Sequence, residues 1–335
     1  MARVACFGEL LVRLTAPGSE LLLQSGRLGV HFGGAEANVA IGLACLGHST
    51  AMISHVADNA LGEAAIGHMR RYGVDTAAVS RGPGRMGLYF QSAGAGVRPS
   101  SIIYDREGSS FALVGAERFD WDRLIDGVDL LHLSGITPAL GPVSAATALA
   151  AAEAARSQGV RVSFDGNYRA QLWARQQSDP KAVLGRLVEK ADIFFGNHRD
   201  ITLLLGREFA SGGEVRRREA ALAAFDAFPN LRIIASTARH IDENGSHCIS
   251  ARIDTHDAEV QTEEVIVSGI VDRIGAGDAF AAGVLHGLLS GKDHDAAALE
   301  GLALACLKHS LPGDASLFSQ SDIDAFLAGE RDVRR

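Results

Sequence analysis

From about residue 128 onward, short apolar runs alternate with helical patterns, and this rhythm limits the fold more than any other feature of the chain. Residues 128–133, 160–164, 193–195 and 231–236 read as buried strands. Residues 142–158, 181–190 and 276–289 read as helices, the first ending at Gly159. Strands that alternate with helices form a parallel sheet covered on both faces, because each crossover must pack back onto the sheet. An earlier block, helix 35–46, strand 50–56 and helix 60–71, keeps the same rhythm. Ligands of such sheets sit beyond the carboxyl ends of the strands, so residues just after strands carry the most functional weight.

Two stretches break the rhythm. Residues 12–32 and 85–114 are rich in β-branched, aromatic and glycine residues of alternating polarity. Residues 88–92 and 101–105 read as strands of a separate small antiparallel sheet. The expected organisation is an α/β core built from residues 1–11, 33–84 and 115–330, with a β-sheet lid inserted as 12–32 and 85–114. A length of 335 residues suits about two such structural units.

Charge and cysteine content exclude several classes. The formal net charge is −8, whereas a duplex-binding surface needs clustered Lys and Arg to replace phosphate counterions. The densest basic run, Arg216-Arg217-Arg218, is followed by Glu219 and an alanine-rich helical pattern, and reads as a solvated helix face. Cys6, Cys45, Cys248 and Cys306 are far apart and form no CxxC, as expected of reduced thiols in a cytoplasmic protein. The N-terminus shows no basic-then-apolar signal pattern, and residues 139–155 contain Gly141, Pro142, Ser144 and Glu153, which suits a soluble helix better than a membrane span. The expectation is a cytoplasmic protein with neither nucleic-acid nor membrane partners. If its substrate is an anion, the chain must supply local positive charge.

The most specific string is Asp272-Arg273-Ile274-Gly275-Ala276-Gly277-Asp278-Ala279-Phe280-Ala281-Ala282-Gly283. Small residues open a helix there, and an acid sits in its first turn. Free N–H groups and the helix dipole make such a terminus an anion site. A second string, Gly33-Gly34-Ala35-Glu36-Ala37-Asn38-Val39-Ala40, lies about 240 residues earlier. Its two glycines would let a ligand approach the backbone closely, and Asn38 offers a donor and an acceptor to a sugar hydroxyl.

Together these strings resemble the paired signatures of the ribokinase-like (phosphofructokinase B) sugar kinases, and the resemblance covers nearly the whole chain. It implies a three-layer α/β/α sandwich with a mostly parallel central sheet and a small β-sheet lid. It also implies that Gly275, Ala276 and Gly277 form an anion hole for the transferring phosphoryl group, with Asp278 as the base that deprotonates the acceptor hydroxyl. ATP and Mg²⁺ follow as cofactors, and Gly33, Gly34, Asn38 and Tyr89 as sugar contacts. An exposed lid face would favour a homodimer or higher homo-oligomer through the lid.

A third string points to the substrate. Phe164-Asp165-Gly166-Asn167-Tyr168-Arg169, with Leu172-Trp173 beyond, resembles a segment of 2-keto-3-deoxygluconate kinases. So do Tyr104-Asp105-Arg106 and Lys308-His309-Ser310-Leu311-Pro312-Gly313-Asp314. The resemblance implies that Tyr104, Arg106 and Arg169 bind an acid sugar and that Asp314 takes a sugar hydroxyl. From the residues alone, either arginine could instead bridge Asp105 or Asp165. Nucleotide contacts fall to Asn167, Asn197, Ser236 and Arg239, with Gly275 and Gly277.

Two departures from the family pattern stand out. Asn197-His198-Arg199-Asp200 replaces the usual Asn-x-x-Glu, so the carboxylate that would serve the metal through water, Asp200, is one methylene shorter. Ser236-Thr237-Ala238-Arg239-His240 replaces a glycine-rich adenine loop, and places an arginine where ATP phosphates could lie. Gly82-Pro83-Gly84-Arg85-Met86-Gly87 matches GxGxxG by letter but leads into a strand, and no P-loop, compact histidine pair or Gly-x-Ser-x-Gly elbow occurs. The expected activity is an ATP-dependent sugar kinase acting on an acid sugar, first 2-keto-3-deoxygluconate. A neutral-sugar kinase acting on fructose or ribose, and a non-catalytic sugar or nucleotide sensor, remain open.

Overall fold

The computed structural model describes residues 1–243 and 245–330. Its strands, in chain order, are β1 (Arg3–Phe7), β2 (Leu11–Thr15), β3 (Gly29–Gly33), β4 (Ser49–Ala57), β5 (Val79–Gly82), β6 (Gly87–Ser92) and β7 (Ser101–Asp105). They continue with β8 (Leu130–Ser134), β9 (Arg161–Asp165), β10 (Ile193–Phe195), β11 (Ile233–Ile241), β12 (His247–Asp254), β13 (Glu259–Gln261) and β14 (Val265–Val267). The large sheet has the order β13-β12-β11-β10-β9-β8-β1-β4-β5, with β14 also pairing β12. The pairs from β5 across to β11 are parallel, and those beyond β11 are antiparallel.

Side chains alternate across this sheet because a strand has a period of two. In β1, Val4 and Cys6 join one apolar core, while Ala5 and Phe7 join the other. Each face is then covered by helices, among them Ala276–Leu289 and His294–Lys308 on one side and Pro142–Ser157 on the other. Phe7, Phe164, Phe194 and Phe225 are fully buried. Burial of each such side chain contributes about 1.5–3 kcal/mol. The start of helix Ala60–Arg71 is fixed by Asn59, whose Oδ1 accepts from the N–H groups of Leu61 and Gly62 at 3.0 and 3.2 Å.

The lid is a four-stranded sheet of order β3-β2-β6-β7. It is mixed, not wholly antiparallel. β2–β3 and β6–β7 run antiparallel, but β2 and β6 pair in parallel, Leu11 opposite Gly87 and Thr15 opposite Gln91. The chain leaves the lid after β3, threads the core and returns along the direction it first took, which sets β6 parallel to β2. A second correction concerns the basic run at 216–218. Arg218 pairs with Asp254 at 3.2 Å and Glu259 at 3.0 Å, and Arg217 donates to Gln261 at 3.2 Å, so part of this run ties its helix to β12 and β13. All four cysteines are free thiols. Among the described residues, no helix is long and apolar enough to cross a membrane.

Candidate active site

A cleft of about 640 Å³ opens where the carboxyl ends of β8–β11 meet the lid and the start of helix Ala276–Leu289. It is lined by Gly34, Asn38, Tyr89, Tyr104, Arg106, Asn167, Arg169, Asn197, Asp200, Ser236, Gly275, Ala276, Gly277, Asp278 and Asp314, so most of the residues singled out in the sequence converge there. Gly33 and Arg239 do not line it.

The floor is the N-terminus of helix Ala276–Leu289. Gly275 has φ 77°, and a Cβ there would lie 1.6 Å from the Asp314 carbonyl oxygen. Only glycine combines that dihedral with so close an approach. No side chain caps this end, and a Cβ on Gly277 would meet nothing within 4 Å, so this turn faces the cleft. The Ala276 N–H donates to the Arg273 carbonyl at 3.3 Å, a long bond that an anion would compete with. The glycines at 33 and 34 are also required by packing. A Cβ at 33 would press on the Asp314 carboxylate, and one at 34 on the Glu9 carbonyl.

Asp278 lies in the first turn of this helix, and its Oδ2 accepts from Asn38 Nδ2 at 2.6 Å. The Oδ1 of Asn38 is buried and has no hydrogen-bond partner among the described residues. An acceptor in that state disfavours a bare protein and suits a donor arriving from the cleft. Burial pushes the Asp278 carboxyl up to about 7, against the lowering effects of Asn38 and Arg169. Asp165, at the end of β9, is pushed up to about 8 by burial and then by the charge of Asp278. Burial raises Asp200 as well, although the Asn197 N–H bonds its Oδ2 at 2.8 Å in a capping box. Asn167 turns the chain after β9 at φ 37°, a left-handed conformation that Asn tolerates, and donates its N–H to Asp165 at 3.0 Å.

The arginines divide into two sets. Arg106, expected as a charge partner for the substrate, is 4% exposed and bonds Glu9 Oε2 at 2.6 Å through both Nε and Nη2. Its charge is therefore already matched inside the protein. Arg169 is exposed at the cleft and has no ion pair among the described residues. Arg239 lies with Arg273 in a recess of about 180 Å³ beyond Gly277, which Thr237 and His309 also line. Burial and then the Arg273 charge lower the Arg239 pKa, so an anion there would relieve both guanidiniums.

Sequence reasoning missed the group that joins lid to floor. Arg13 on β2 is 2% exposed and bridges Asp272 at 2.6 Å and Asp314 at 2.7 Å. Asp314, expected only as a sugar ligand, also accepts from the Tyr89 hydroxyl at 2.6 Å. Asp272 accepts from the N–H of Ile274 at 3.0 Å and of Gly313 at 3.2 Å, which shapes the loop leading to Gly275. Glu36, also missed, is buried and accepts from the Ser134 N–H and hydroxyl at 3.0 and 2.7 Å, pinning the Asn38 helix to the end of β8.

Known proteins share this architecture. Over 328 residues the chain is 28% identical to a 2-dehydro-3-deoxygalactonokinase of Haloferax volcanii, covering 98% of this chain and 97% of that protein. It is 28% identical over 332 residues to a 2-dehydro-3-deoxygluconokinase of Bacillus subtilis, covering 98% and 96%. The crystal structure of a 2-dehydro-3-deoxygluconokinase from Thermotoga maritima superposes with a TM-score of 0.92 at 34% identity, covering 98% of each chain. The family model for pfkB family carbohydrate kinase matches residues 1–320, and the chain belongs to that family, with its ribokinase-like α/β fold.

Proposed function

We propose that this protein is an ATP-dependent kinase of a 2-keto-3-deoxy acid sugar, with 2-keto-3-deoxygluconate as the first candidate. One observation carries the choice of an acid sugar: Arg169 stands exposed at the cleft, near enough to Asp278 to act on its charge yet in no ion pair among the described residues. A guanidinium fork matches a carboxylate with two parallel hydrogen bonds. The names of the relatives above support the same substrate class.

In this reading Asn38 has two tasks. Its Nδ2 holds Asp278, and its unpartnered Oδ1 accepts from a sugar hydroxyl. Asp278 takes the proton of the acceptor hydroxyl as that oxygen bonds the γ-phosphorus and ADP leaves. A carboxyl pushed up to about 7 is a stronger base than an ordinary aspartate and is still about half ionised at neutral pH. Gly275–Gly277 receive the developing phosphoryl charge at the helix terminus. Arg239 and Arg273 suit the remaining phosphates of the donor. Tyr89 and Tyr104 on the lid cover the sugar and exclude water, which would otherwise compete as acceptor.

The residues present also fit a hydrated divalent cation. Asp165 and Asp200 line the cleft, and burial first, then the charges of Asp278 and Asp200, push Asp165 up to about 8, which a nearby cation would counter. Mg²⁺ bound there through water would neutralise phosphate oxygens during transfer.

The test is ADP release with 2-keto-3-deoxygluconate, fructose and ribose as acceptors. The acid sugar should give the highest kcat/KM. Preference for fructose or ribose would replace this reading with a neutral-sugar kinase, and binding without turnover of any sugar would favour a sensor.

A further inference from the structure

A second group of ligand-type side chains lies outside the cleft, on the antiparallel margin of the large sheet. His240 on β11 is directly opposite Cys248 on β12. Residues so paired project from the same face, with Cβ atoms about 4.5–5.5 Å apart. On the other side of β12, Cys248 is opposite Ile266 of β14, and Glu264 precedes Ile266 by two positions. The period of two returns Glu264 to the face that holds Cys248. Two neighbouring strands and the residue that leads into a third therefore deliver an imidazole, a thiol and a carboxylate to one point.

The distances suit a small cation. The ligating atoms of His240, Cys248 and Glu264 all lie within 4.8 Å of one another. His240 Nδ1 and Glu264 Oε1 are 3.4 Å apart. A zinc-like ion bonds N and O at about 2.0–2.2 Å and S at about 2.3 Å, and a tetrahedral centre with such bonds sets its N and O ligands roughly 3.4 Å apart. Cys248 is buried at the base, while His240 and Glu264 are exposed above it, which leaves a fourth position open to water.

We infer that His240, Cys248 and Glu264 form a binding site for one thiophilic divalent cation of the zinc class, separate from the cleft. The donor set N, S, O suits Zn²⁺ and disfavours Mg²⁺ and Ca²⁺, which take oxygen ligands. Binding replaces the thiol proton, which is released to solvent, with an S–metal bond. The ion clips the turn end of the β11–β12 hairpin to the residues that lead into β14. β11 runs back from that clip to Ser236 and Thr237 at the cleft wall, and β14 leads on towards Arg273 and Gly275.

The experiment is a Co²⁺ titration of the reduced, metal-free, full-length protein, read by absorbance. One equivalent should produce a thiolate-to-cobalt charge-transfer band with the visible bands of a four-coordinate ion, and Zn²⁺ should abolish both. Cys248→Ser should lose the charge-transfer band. His240→Ala and Glu264→Gln, both at exposed positions, should each weaken Co²⁺ binding by at least about tenfold, since even outer-shell partners of a metal are worth that much. The proposal is overturned if no band appears at one equivalent. It is equally overturned if the band survives in Cys248→Ser, which would place the metal on Cys6, Cys45 or Cys306, or if both His240→Ala and Glu264→Gln bind as the parent does.

Discussion

Asn38 and Asp278, 240 positions apart in the chain, are joined by a hydrogen bond of 2.6 Å between Nδ2 and Oδ2. The bond unites the starts of two helices, and it leaves Asp278 Oδ1 and Asn38 Oδ1 for an incoming hydroxyl.

Asp278→Asn should therefore lower kcat by about 10²–10⁴-fold, the usual loss on removing a general base. Sugar binding, followed by calorimetry, should change little because the amide is nearly isosteric. A variant with near-parental kcat would exclude Asp278 as the base. In the parent, kcat/KM should rise with pH and level off above about 7, since the base acts in its ionised form and burial has moved its midpoint there.

Burial of carboxylates also predicts a sign for stability. Asp165 has a folded-state pKa of about 8, above its ordinary value of 3.8, so the folded protein binds this proton more tightly than the unfolded chain. Stability from this group is fully present below about pH 4 and is lost as pH rises towards 8. Asp165→Asn keeps an acceptor for the Asn167 N–H and removes the charge. Its Tm should exceed that of the parent at pH 8 and approach it at pH 4. Equal melting curves at pH 8 would show that the carboxylate is solvated well enough to ionise freely.

Arg13→Met should destabilise the fold by about 3–5 kcal/mol, because it leaves two carboxylates buried without their cation. Urea denaturation measures this directly. A loss below about 1 kcal/mol, the range of solvent-screened pairs, would mean that Asp272 and Asp314 are compensated in some other way.

Arg169→Met should behave in the opposite manner. The side chain is exposed and makes no ion pair among the described residues, so Tm should hold, while KM for the acid sugar rises. Loss of one partner of a charged hydrogen-bonded pair costs about 2–5 kcal/mol, or roughly 30-fold and more in binding. KM for fructose should move little. An equal effect on both sugars would assign Arg169 to the phosphate donor.

Asp200 has a structural and a proposed metal role that can be separated. Asp200→Ala removes the capping bond to the Asn197 N–H and should cost about 0.5–2 kcal/mol of stability. Asp200→Asn keeps an acceptor and loses the charge. It should melt near the parent yet need more Mg²⁺ for half-maximal rate. Superimposable Mg²⁺ titrations would leave Asp200 with the cap alone.

Local chemistry made much of this legible. Helices Ala60–Arg71 and Ala276–Leu289 and strands Ser101–Asp105 and Ile193–Phe195 lie where their patterns placed them, since caps, glycines and apolar runs mark their ends. β11 runs on to Ile241, past the expected end at 236, because its continuation is an antiparallel hairpin with an exposed face and carries no apolar run. The parallel β2–β6 pairing is a tertiary choice with no local signature. Arg13 reads as an ordinary residue of an alternating strand, and its partners lie 259 and 301 positions away. Glu9, the partner that neutralises Arg106, was hidden in the same way, 97 positions distant.

Arg13 on β2 and Arg106 just after β7 each carry a buried charge whose counter-ion belongs to the core. A hinge at the root of the lid would part both cations from their buried counter-ions, so the sheet is clamped to the core there. Neither ion pair reaches the far end of the lid, and there Arg98 ties the turns 16–28 and 93–100 together through the Ser19 carbonyl. The consequence is that the root of the lid and the Asp272–Asp314 floor beside Asp278 form one unit, held by the same cation.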